Sequence, residues 1–329
     1  MDDIRWGILG TAWIARDAFL PALAEAGRGI AAVVASRDGD RAGSWAAAHG
    51  VARGVEGYAR VIEDPEIDAV YIPLPNGLHA EWTIAALEAG KPVLCEKPLC
   101  ATPEETARVL DVARAAPGSL WEAFVFPFHE QIDRVAEAIA RGDIGDVREV
   151  WSRFHFVLDD PRDIRLFAEL AGGSIQDVGC YPIRLGRLLF AGEPEPSRAV
   201  ADAVWTDDGV DTELWGALAF PGERRLLFSS GFLTPFDTFT RVLGTQGELR
   251  ITNPFHPEPH DAWSLVRGDD VTVTPAVPSG ERSFTPAIRH IHRALGGLEP
   301  PRHLAIDEAM GNAEAIASLL AAARASRSA

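Results

Sequence analysis

The sequence predicts an α/β protein in which an amino-terminal doubly wound parallel sheet is followed by an α+β domain with a large, mostly antiparallel open sheet. In residues 1–123, short apolar runs alternate with helical patterns, as in parallel sheets. From residue 147 onward, long β-like runs are separated by turns rich in Pro, Gly and Asp. Because 329 residues exceed one core, we predict two domains, 1–123 and 124–329.

The composition argues against several classes of protein. Hydrophobic residues make up 47% of the chain and the mean hydropathy is −0.00, which suits a packed core rather than disorder. The net charge of −17 disfavours nucleic acid and anionic membranes as partners. No apolar run approaches the roughly 18 residues of a membrane span, and the first residues lack a targeting pattern. We therefore expect a soluble, cytoplasmic protein.

The cysteines and histidines do not form a metal pattern. Cys95, Cys100 and Cys180 lack zinc-site spacing, and we expect reduced, mostly buried thiols. His256 and His260 have a four-residue spacing, but the prolines between them prevent the helix that such a site needs. We predict no metal.

A turn of small residues follows the first predicted strand, residues 5–9. Residues 10–15 read Gly-Thr-Ala-Trp-Ile-Ala, a G-x-A-x-x-A variant of the dinucleotide turn. Gly10 permits a tight turn, and Ala12 keeps the backbone close to a pyrophosphate. The following helix would offer its N–H groups to the phosphates. An ordinary β-α turn is the alternative.

The second strand, residues 30–35, ends in Ser36 and Arg37. An NAD-specific fold usually places an acidic residue near this point. A guanidinium suits a 2′-phosphate instead, so we expect NADP to be preferred, with NAD possible. Asp38 follows directly, and a solvated Arg37–Asp38 pair is the alternative.

Polar residues also follow two later strands. After the strand at 69–72, Asn76 is expected to cap a helix that ends at Gly90, and His79 on its first turn faces either a cofactor or the core. After the strand at 93–95 come Glu96 and Lys97, at the end where α/β sheets bind ligands. Lys97 is therefore either a surface charge or a group directed into a cleft.

In the second half, Asp177 and Tyr181 are four residues apart, so in a helix they share one face.

Leu226, Leu227 and Phe228 are consecutive, which places large apolar side chains on both faces of a strand. We therefore expect a homodimer or homotetramer through the outer face of this sheet, unless residues 253–263 cover it. The strands are predicted at 147–157, 199–205, 213–220, 224–232, 239–243, 247–251 and 262–266, and helices at 129–141, 180–189 and 307–323.

In order and spacing, these motifs resemble the Gfo/Idh/MocA family of NAD(P)-dependent oxidoreductases. The matching stretches are residues 6–12, 35–37, 74–79, 96–98, 172–181 and 243–249. Within the family, residues 163–166 and 253–255 are most similar to aldose (xylose-type) 1-dehydrogenases and trans-dihydrodiol dehydrogenases. The resemblance covers residues 5–251 and implies an amino-terminal Rossmann domain and a carboxyl-terminal domain for substrate binding and oligomerisation.

The resemblance also implies roles for particular residues. Lys97 would be catalytic and would precede a cis peptide bond to Pro98. Catalysis would further involve Asp177 and Tyr181, and substrate binding would involve Lys97, Arg165, Asp177 and Tyr181. The cofactor-binding residues would be Gly10, Thr11, Ala12, Trp13, Ile14, Ser36, Arg37, Leu74, Pro75, Asn76, His79, Glu96 and Lys97.

These residue types suit alcohol oxidation, which transfers a hydride to nicotinamide and releases the hydroxyl proton. Tyr181 could exchange that proton, Lys97 could lower the pKa of the phenol or act itself, and Asp177 could orient Lys97 or a substrate hydroxyl. We expect a carbohydrate-like substrate: a sugar, polyol or cyclic diol. The alternatives are a nucleotide-sugar ketoreductase, with Arg165 and Arg184 as diphosphate ligands, and a non-catalytic regulatory protein.

Overall fold

The chain folds into two compact units. The computed structural model describes residues 3–116, 120–190, 194–277 and 279–327. One unit comprises Met1–Val125 and Glu281–Met310, and the other comprises Phe126–Gly280 and Gly311–Ala329. This division differs from the single boundary after residue 123, because residues 281–310 return to the first unit.

In the described part of the first unit, six strands form a parallel sheet in the order β3-β2-β1-β4-β5-β6. The central strands are short apolar runs buried on both faces, as parallel sheets require. This is the Rossmann order, so the predicted doubly wound sheet is confirmed. The elements are β1 (Ile4–Leu9), α1 (Leu20–Ala26), β2 (Gly29–Ser36), α2 (Gly39–His49), β3 (Arg53–Glu56), α3 (Ala59–Ile62), β4 (Ala69–Ile72), α4 (His79–Glu88), β5 (Val93–Cys95), α5 (Pro103–Ala115) and β6 (Leu120–Glu122).

The described part of the second unit contains an eight-stranded sheet in the order β14-β13-β12-β11-β7-β10-β9-β8. Only the β7–β10 pair among these strands is parallel, which confirms the mostly antiparallel prediction. The elements are α6 (Glu130–Ala140), β7 (Val147–Val157), α7 (Cys180–Leu189), β8 (Arg198–Trp205), β9 (Asp211–Phe220), β10 (Arg224–Gly231), β11 (Leu233–Gly244), β12 (Glu248–Ile251), β13 (Ala262–Arg267) and β14 (Asp270–Pro275).

Helix α8 (Thr285–Leu295) packs on the first unit through a buried histidine. His292 Nδ1 donates to the carbonyl of Gly27 at 2.8 Å, and its Nε2 accepts from Trp6 Nε1 at 3.0 Å. Because the indole only donates, this arrangement requires a neutral imidazole. The final helix, α9 (Ala305–Arg327), begins in the first unit and continues in the second.

Three local features differ from the sequence predictions. Asn76 does not cap α4, because Asn76–Leu78 form a 3₁₀ turn and the helix starts at His79 without a side-chain cap. Strand β14 and helix α8 were not predicted at all.

In the described ranges, no helix has the length and apolar character that crossing a membrane requires.

Candidate active site

Four neighbouring strands of the parallel sheet end in residues that the sequence assigns to a dinucleotide. In sheet order they are β2, β1, β4 and β5. Ser36 closes β2, Gly10 follows β1, a loop at 73–76 follows β4, and Glu96 follows β5. Because the carboxyl ends of parallel strands lie at one edge, the fold brings these segments together where such sheets bind ligands.

The turn after β1 has the geometry of a dinucleotide turn. Gly10 has a φ of +105°, a conformation that favours glycine, and its N–H donates to the carbonyl of Ala35 at 2.8 Å. A Cβ at Gly10 would lie 3.0 Å from Leu74 Cδ2, so this turn packs on the loop after β4. Trp13 is exposed and Thr11 and Ala12 are half-exposed. The close, accessible backbone fits a pyrophosphate.

Arg41, in the helix that follows β2, is a second arginine that the sequence analysis missed. Asp38 is the N-cap of α2, where its carboxylate accepts from the N–H of Arg41 at 3.1 Å. The Asp38 carboxylate, which made the preference for NADP ambiguous in the sequence analysis, therefore has a structural role as the cap of α2. Arg41 Nε donates to Thr11 Oγ1 at 2.8 Å, so the Arg41 guanidinium lies beside the dinucleotide turn. Arg37, directly after β2, is exposed.

The loop that carries Lys97 is anchored on both sides. Tyr71 donates from its hydroxyl to Glu96 Oε1 at 2.7 Å, and the N–H of Leu99 donates to Glu122 Oε1 at 2.8 Å. The peptide bond between Lys97 and Pro98 is cis, as the resemblance implied. Lys97 itself is half-buried. Its backbone is therefore held by buried groups other than its own side chain.

His79 is a third anchor of this loop. It is fully buried, with Nδ1 2.8 Å from the carbonyl oxygen of Pro98 and Nε2 2.8 Å from that of Leu74. Burial lowers the pKa of His79, and the two carbonyls oppose that shift. These contacts place His79 between the loops after β4 and β5. A direct role of His79 in cofactor binding stays a prediction.

Lys91 and Lys97 are the only lysines in the sequence. Lys91 has a structural role, because its Nζ donates to the carbonyls of Asp64 and Ile67 at 2.8 and 2.7 Å. Elsewhere the chain uses arginine, which is always charged, whereas a lysine can release a proton. A lysine at position 97 therefore favours a chemical role over a purely electrostatic one.

In the second unit, Asp177 lies in the turn before α7, and Tyr181 is the second residue of α7. Residues Ile175–Gly179 form a π-helical turn, so the assumed regular α-helical face is widened there. Tyr181 is buried, and its ring lies 5.2–6.2 Å from the rings of Phe255, Phe154, His256 and Phe126, measured between centroids. These ring contacts hold the phenol of Tyr181 in place.

The two arginines considered as substrate ligands have different settings. Arg165 Nε donates to Asp177 Oδ2 at 2.6 Å, a pairing that the sequence analysis did not foresee. Arg184 is fully buried within α7. The assignment of Arg165 to substrate binding stays a prediction.

In the described ranges, no group of three or more His, Cys, Asp or Glu side chains could hold a metal ion.

Asp211, from the first position of β9, holds the amino end of the segment that contains Asp177. Its Oδ2 accepts from Ser174 Oγ and from the N–H of Ile175, both at 2.8 Å. The carboxyl is buried, and burial raises its pKa from 3.8 to about 6. Sequence alone gave no signal for this contact.

We expect the free energy of unfolding to decrease as the pH rises from 3.8 to about 6, because the folded state then holds a proton that the unfolded state has lost. The shift corresponds to roughly 3 kcal/mol. Asp211→Asn should flatten this dependence in urea titrations across that range, whereas Asp208→Asn, at an exposed aspartate, should not. Equal slopes for wild type and Asp211→Asn would contradict the assignment.

The strand order and the four strand-end segments are those of a dinucleotide-binding protein. Residues 4–124 match the oxidoreductase family with an NAD-binding Rossmann fold, Gfo/Idh/MocA, and residues 132–250 match the carboxyl-terminal domain of that family. The chain belongs to this family, which confirms the resemblance found in the sequence.

Individual relatives cover nearly the whole chain. It is 40% identical over 301 residues to D-xylose 1-dehydrogenase (NADP(+)) 2 of Haloferax volcanii, which is 91% of each chain. It is 39% identical to dTDP-3,4-didehydro-2,6-dideoxy-alpha-D-glucose 3-reductase of Streptomyces violaceoruber, over 89% of this chain and 87% of the relative. A 3-ketoreductase from Actinomadura kijaniata, solved with NADP and TDP-benzene, superimposes with a TM-score of 0.86 at 32% identity over 98% of both chains.

These relatives are a dehydrogenase and two reductases; the name of the first includes NADP(+), and the ketoreductase was solved with NADP. The chain is accordingly an NAD(P)-dependent oxidoreductase that acts on CH–OH groups, and the predicted cofactor class is confirmed. The alternative of a non-catalytic protein is not supported.

Proposed function

We propose that the chain is an NADP-preferring dehydrogenase of a sugar, polyol or cyclic diol, with Lys97, Asp177 and Tyr181 as its catalytic residues. The observation that carries this proposal is the Lys97 loop, anchored beside three other strand ends that bear the cofactor-binding residues. The 40% identity to a D-xylose 1-dehydrogenase supports the substrate class.

When bound, the nicotinamide cofactor supplies the hydride acceptor or donor for the carbon that carries the hydroxyl. Tyr181 holds and exchanges the hydroxyl proton. Lys97 stabilises the phenolate by its charge or takes the proton itself, and Asp177 orients the reacting groups. Gly10 to Ile14, Ser36, Arg37 and Arg41 would hold the phosphates and ribose of the cofactor.

Solved structures of the Actinomadura kijaniata ketoreductase support the pairing of lysine with tyrosine. One carries a lysine-to-alanine substitution and another a tyrosine-to-phenylalanine substitution. The two substituted positions are separated by as many residues as Lys97 and Tyr181.

The formation or loss of NADPH absorbance tests this function. Wild-type enzyme is assayed with NADP and with NAD against aldoses, polyols and trans-dihydrodiols, and in the reverse direction with a dTDP-linked ketosugar. We expect turnover of at least one unlinked substrate, with a higher kcat/KM for NADP than for NAD. Turnover of the dTDP-linked sugar alone would instead establish the ketoreductase alternative.

We expect Arg37→Ala to weaken NADP binding and leave NAD binding nearly unchanged, because only NADP carries the 2′-phosphate. A charge-assisted hydrogen bond contributes about 1.5–3 kcal/mol, so the Kd for NADP should rise roughly tenfold or more. Cofactor titration by fluorescence measures both constants. Arg114→Ala, which removes the same charge from α5, is the control. An equal loss for both cofactors would remove Arg37 from the 2′-phosphate site.

We further infer a homodimer, or a tetramer of dimers, through the open face of the second sheet, the face that bears Trp151 and Trp215. These side chains are 42% and 45% exposed, while their neighbour Val150 is buried on the other face. Within residues 253–263, Phe255 stacks on Phe154, which lies on the buried face, so Phe255 does not cover the open face. An apolar area of this kind favours a two-fold partner.

Light scattering at low micromolar concentration should give at least twice the chain mass of 35.5 kDa. Trp215→Glu, which puts a charge into the proposed interface, should shift the protein toward the monomer. Leu298→Glu, at an exposed leucine of the first unit, is the matched control. A wild-type monomer would contradict the prediction.

We also infer a cytoplasmic location from the cysteines. Cys95 and Cys100 are buried free thiols, and Cys180 is also buried. Burial raises the pKa of Cys100 to about 12 and also raises the pKa of Cys95, so both stay protonated thiols. Unpaired, unreactive thiols are typical of a reducing compartment.

A further inference from the structure

A buried carboxylate and two buried hydroxyls lie at the π-helical turn that carries Asp177. The side chains belong to Asp211, Ser174 and Ser230, which are 2%, 0% and 0% exposed. Asp211 Oδ2 accepts from Ser174 Oγ at 2.8 Å, and Ser174 Oγ lies 3.1 Å from Ser230 Oγ. Asp211 comes from β9 and Ser230 from β10, whereas Ser174 directly precedes the turn. We call these three side chains the Asp211 network.

We propose, on the basis of the function proposed above, that Asp211 is a positioning residue for the oxidoreductase reaction: through the Asp211 network it fixes the π-helical turn, and with it Asp177, against the second sheet. Its influence on the reaction passes through the backbone of the turn. Turns of this kind are rare and are frequent at functional sites.

Asp211 fixes the backbone at the amino end of the turn. Its Oδ2 also accepts from the N–H of Ile175 at 2.8 Å. Its Oδ1 lies so close to Gly173 that a Cβ there would be 2.3 Å away, and Gly173 has a φ of +121°, which favours glycine. The carbonyl of Gly173 in turn accepts from the N–H of Asp177 at 3.0 Å. A displacement of the Asp211 carboxylate is therefore passed to Asp177 through one residue.

Asp211 also takes over the task of a helix cap. The first N–H groups of a helix lack partners within it, and the side chain of the N-cap residue often accepts from one of them. Ser174 occupies the N-cap position but makes no such bond, because its hydroxyl donates to Asp211. The Asp211 carboxylate accepts from the N–H of Ile175 instead. Loss of this carboxylate would leave two buried donors without their acceptor.

Ser230 packs against the carboxyl end of the same turn. A Cβ on Gly179, the last residue of the turn, would lie 2.8 Å from Ser230 Oγ, so glycine is needed for this approach. Strand β10, which carries Ser230, pairs with β9 on one side and with β7 on the other. Two neighbouring strands of one sheet therefore hold the two ends of the turn.

The test uses the full-length enzyme with NADP and an unphosphorylated sugar that it oxidises. Asp211→Ala removes the acceptor, Asp211→Asn keeps one oxygen, and Ser174→Ala removes one of the two donors. The matched control is Ser152→Ala, because Ser152 Oγ lies 2.8 Å from Thr240 Oγ1 in a buried hydroxyl pair between β7 and β11. Fluorescence titration of NADPH and urea unfolding show whether each variant is folded.

We expect Asp211→Ala to lower kcat roughly tenfold to a hundredfold, because small displacements of reacting groups have effects of this size. The Kd for NADPH should stay unchanged, since the residues assigned to the cofactor belong to the first unit. Asp211→Asn should restore most of kcat, because its amide oxygen can accept both bonds. Ser174→Ala should lower kcat about fivefold, whereas Ser152→Ala should reduce stability and leave kcat near that of wild type.

A double variant distinguishes positioning from a general structural role. If Asp211 acts through Asp177, then Asp211→Ala should have little further effect on kcat in an Asp177→Asn background. The same fold-loss in both backgrounds would contradict the proposal. So would wild-type kcat in folded Asp211→Ala, or an equal loss of kcat in Ser174→Ala and Ser152→Ala. If Asp211→Ala does not fold, Ser174→Ala takes its place in the double variant.

Failure of this inference can be told apart from failure of the proposed function. Wild-type kcat in Asp211→Ala together with a large loss in Asp177→Asn would reject the positioning role and keep Asp177 as a catalytic residue. Full activity of Asp177→Asn would reject the role proposed for Asp177, and this inference with it.

Discussion

Replacing Lys97 with alanine should lower kcat about 10²–10⁴-fold while leaving the Kd for NADP nearly unchanged. The loop around Lys97 is held by hydrogen bonds of Tyr71, Glu122 and His79, which the substitution leaves in place. Alanine at this position should therefore remove the ammonium without moving the strand-end segments. Steady-state rates and cofactor titration measure the two quantities separately.

The matched control is Lys91→Ala, which removes the only other lysine. Lys91 bonds two backbone carbonyls in the segment before β4, so its loss should lower thermal stability while kcat stays close to that of wild type. A similar loss of kcat in both variants, or a loss of NADP binding that accounts for the whole defect of Lys97→Ala, would remove Lys97 from the chemical step.

Tyr181→Phe should also lower kcat about 10²–10⁴-fold, because it deletes the hydroxyl that exchanges the substrate proton. The ring contacts with Phe154 and Phe255 stay, so folding should be little affected. Tyr58→Phe is the control, since Tyr58 packs edge-on against Trp82 in the first unit. Full activity of Tyr181→Phe on every oxidised substrate would make Tyr181 structural and leave the proton to Lys97 or water.

The parallel sheet could be predicted from sequence because its signals are local. Buried strands such as β4 are continuous apolar runs between turn residues, and their predicted and observed bounds agree. The position of the residues that the sequence assigns to the cofactor follows from the topology, since most of them come directly after a strand. The order of motifs then identified the family.

Long-range contacts and weakly apolar segments could not be predicted in this way. Strand β14 exposes most of its residues, so it lacks the hydrophobic pattern that indicates a strand. Helix α8 belongs to the first unit through His292, whose partner Trp6 is near the opposite end of the sequence. The partners of Asp177 and Ser174 come from a loop and a distant strand, which tertiary packing selects.

The double variant Lys97→Ala/Tyr181→Phe tests most directly whether the two residues serve one chemical step. Residues that act as a unit are not additive, because removal of either already abolishes the step they share. We expect the kcat of the double variant to equal that of the more impaired single variant. A kcat reduced by the product of the two single losses would show that Lys97 and Tyr181 contribute independently, and would contradict the proposed mechanism.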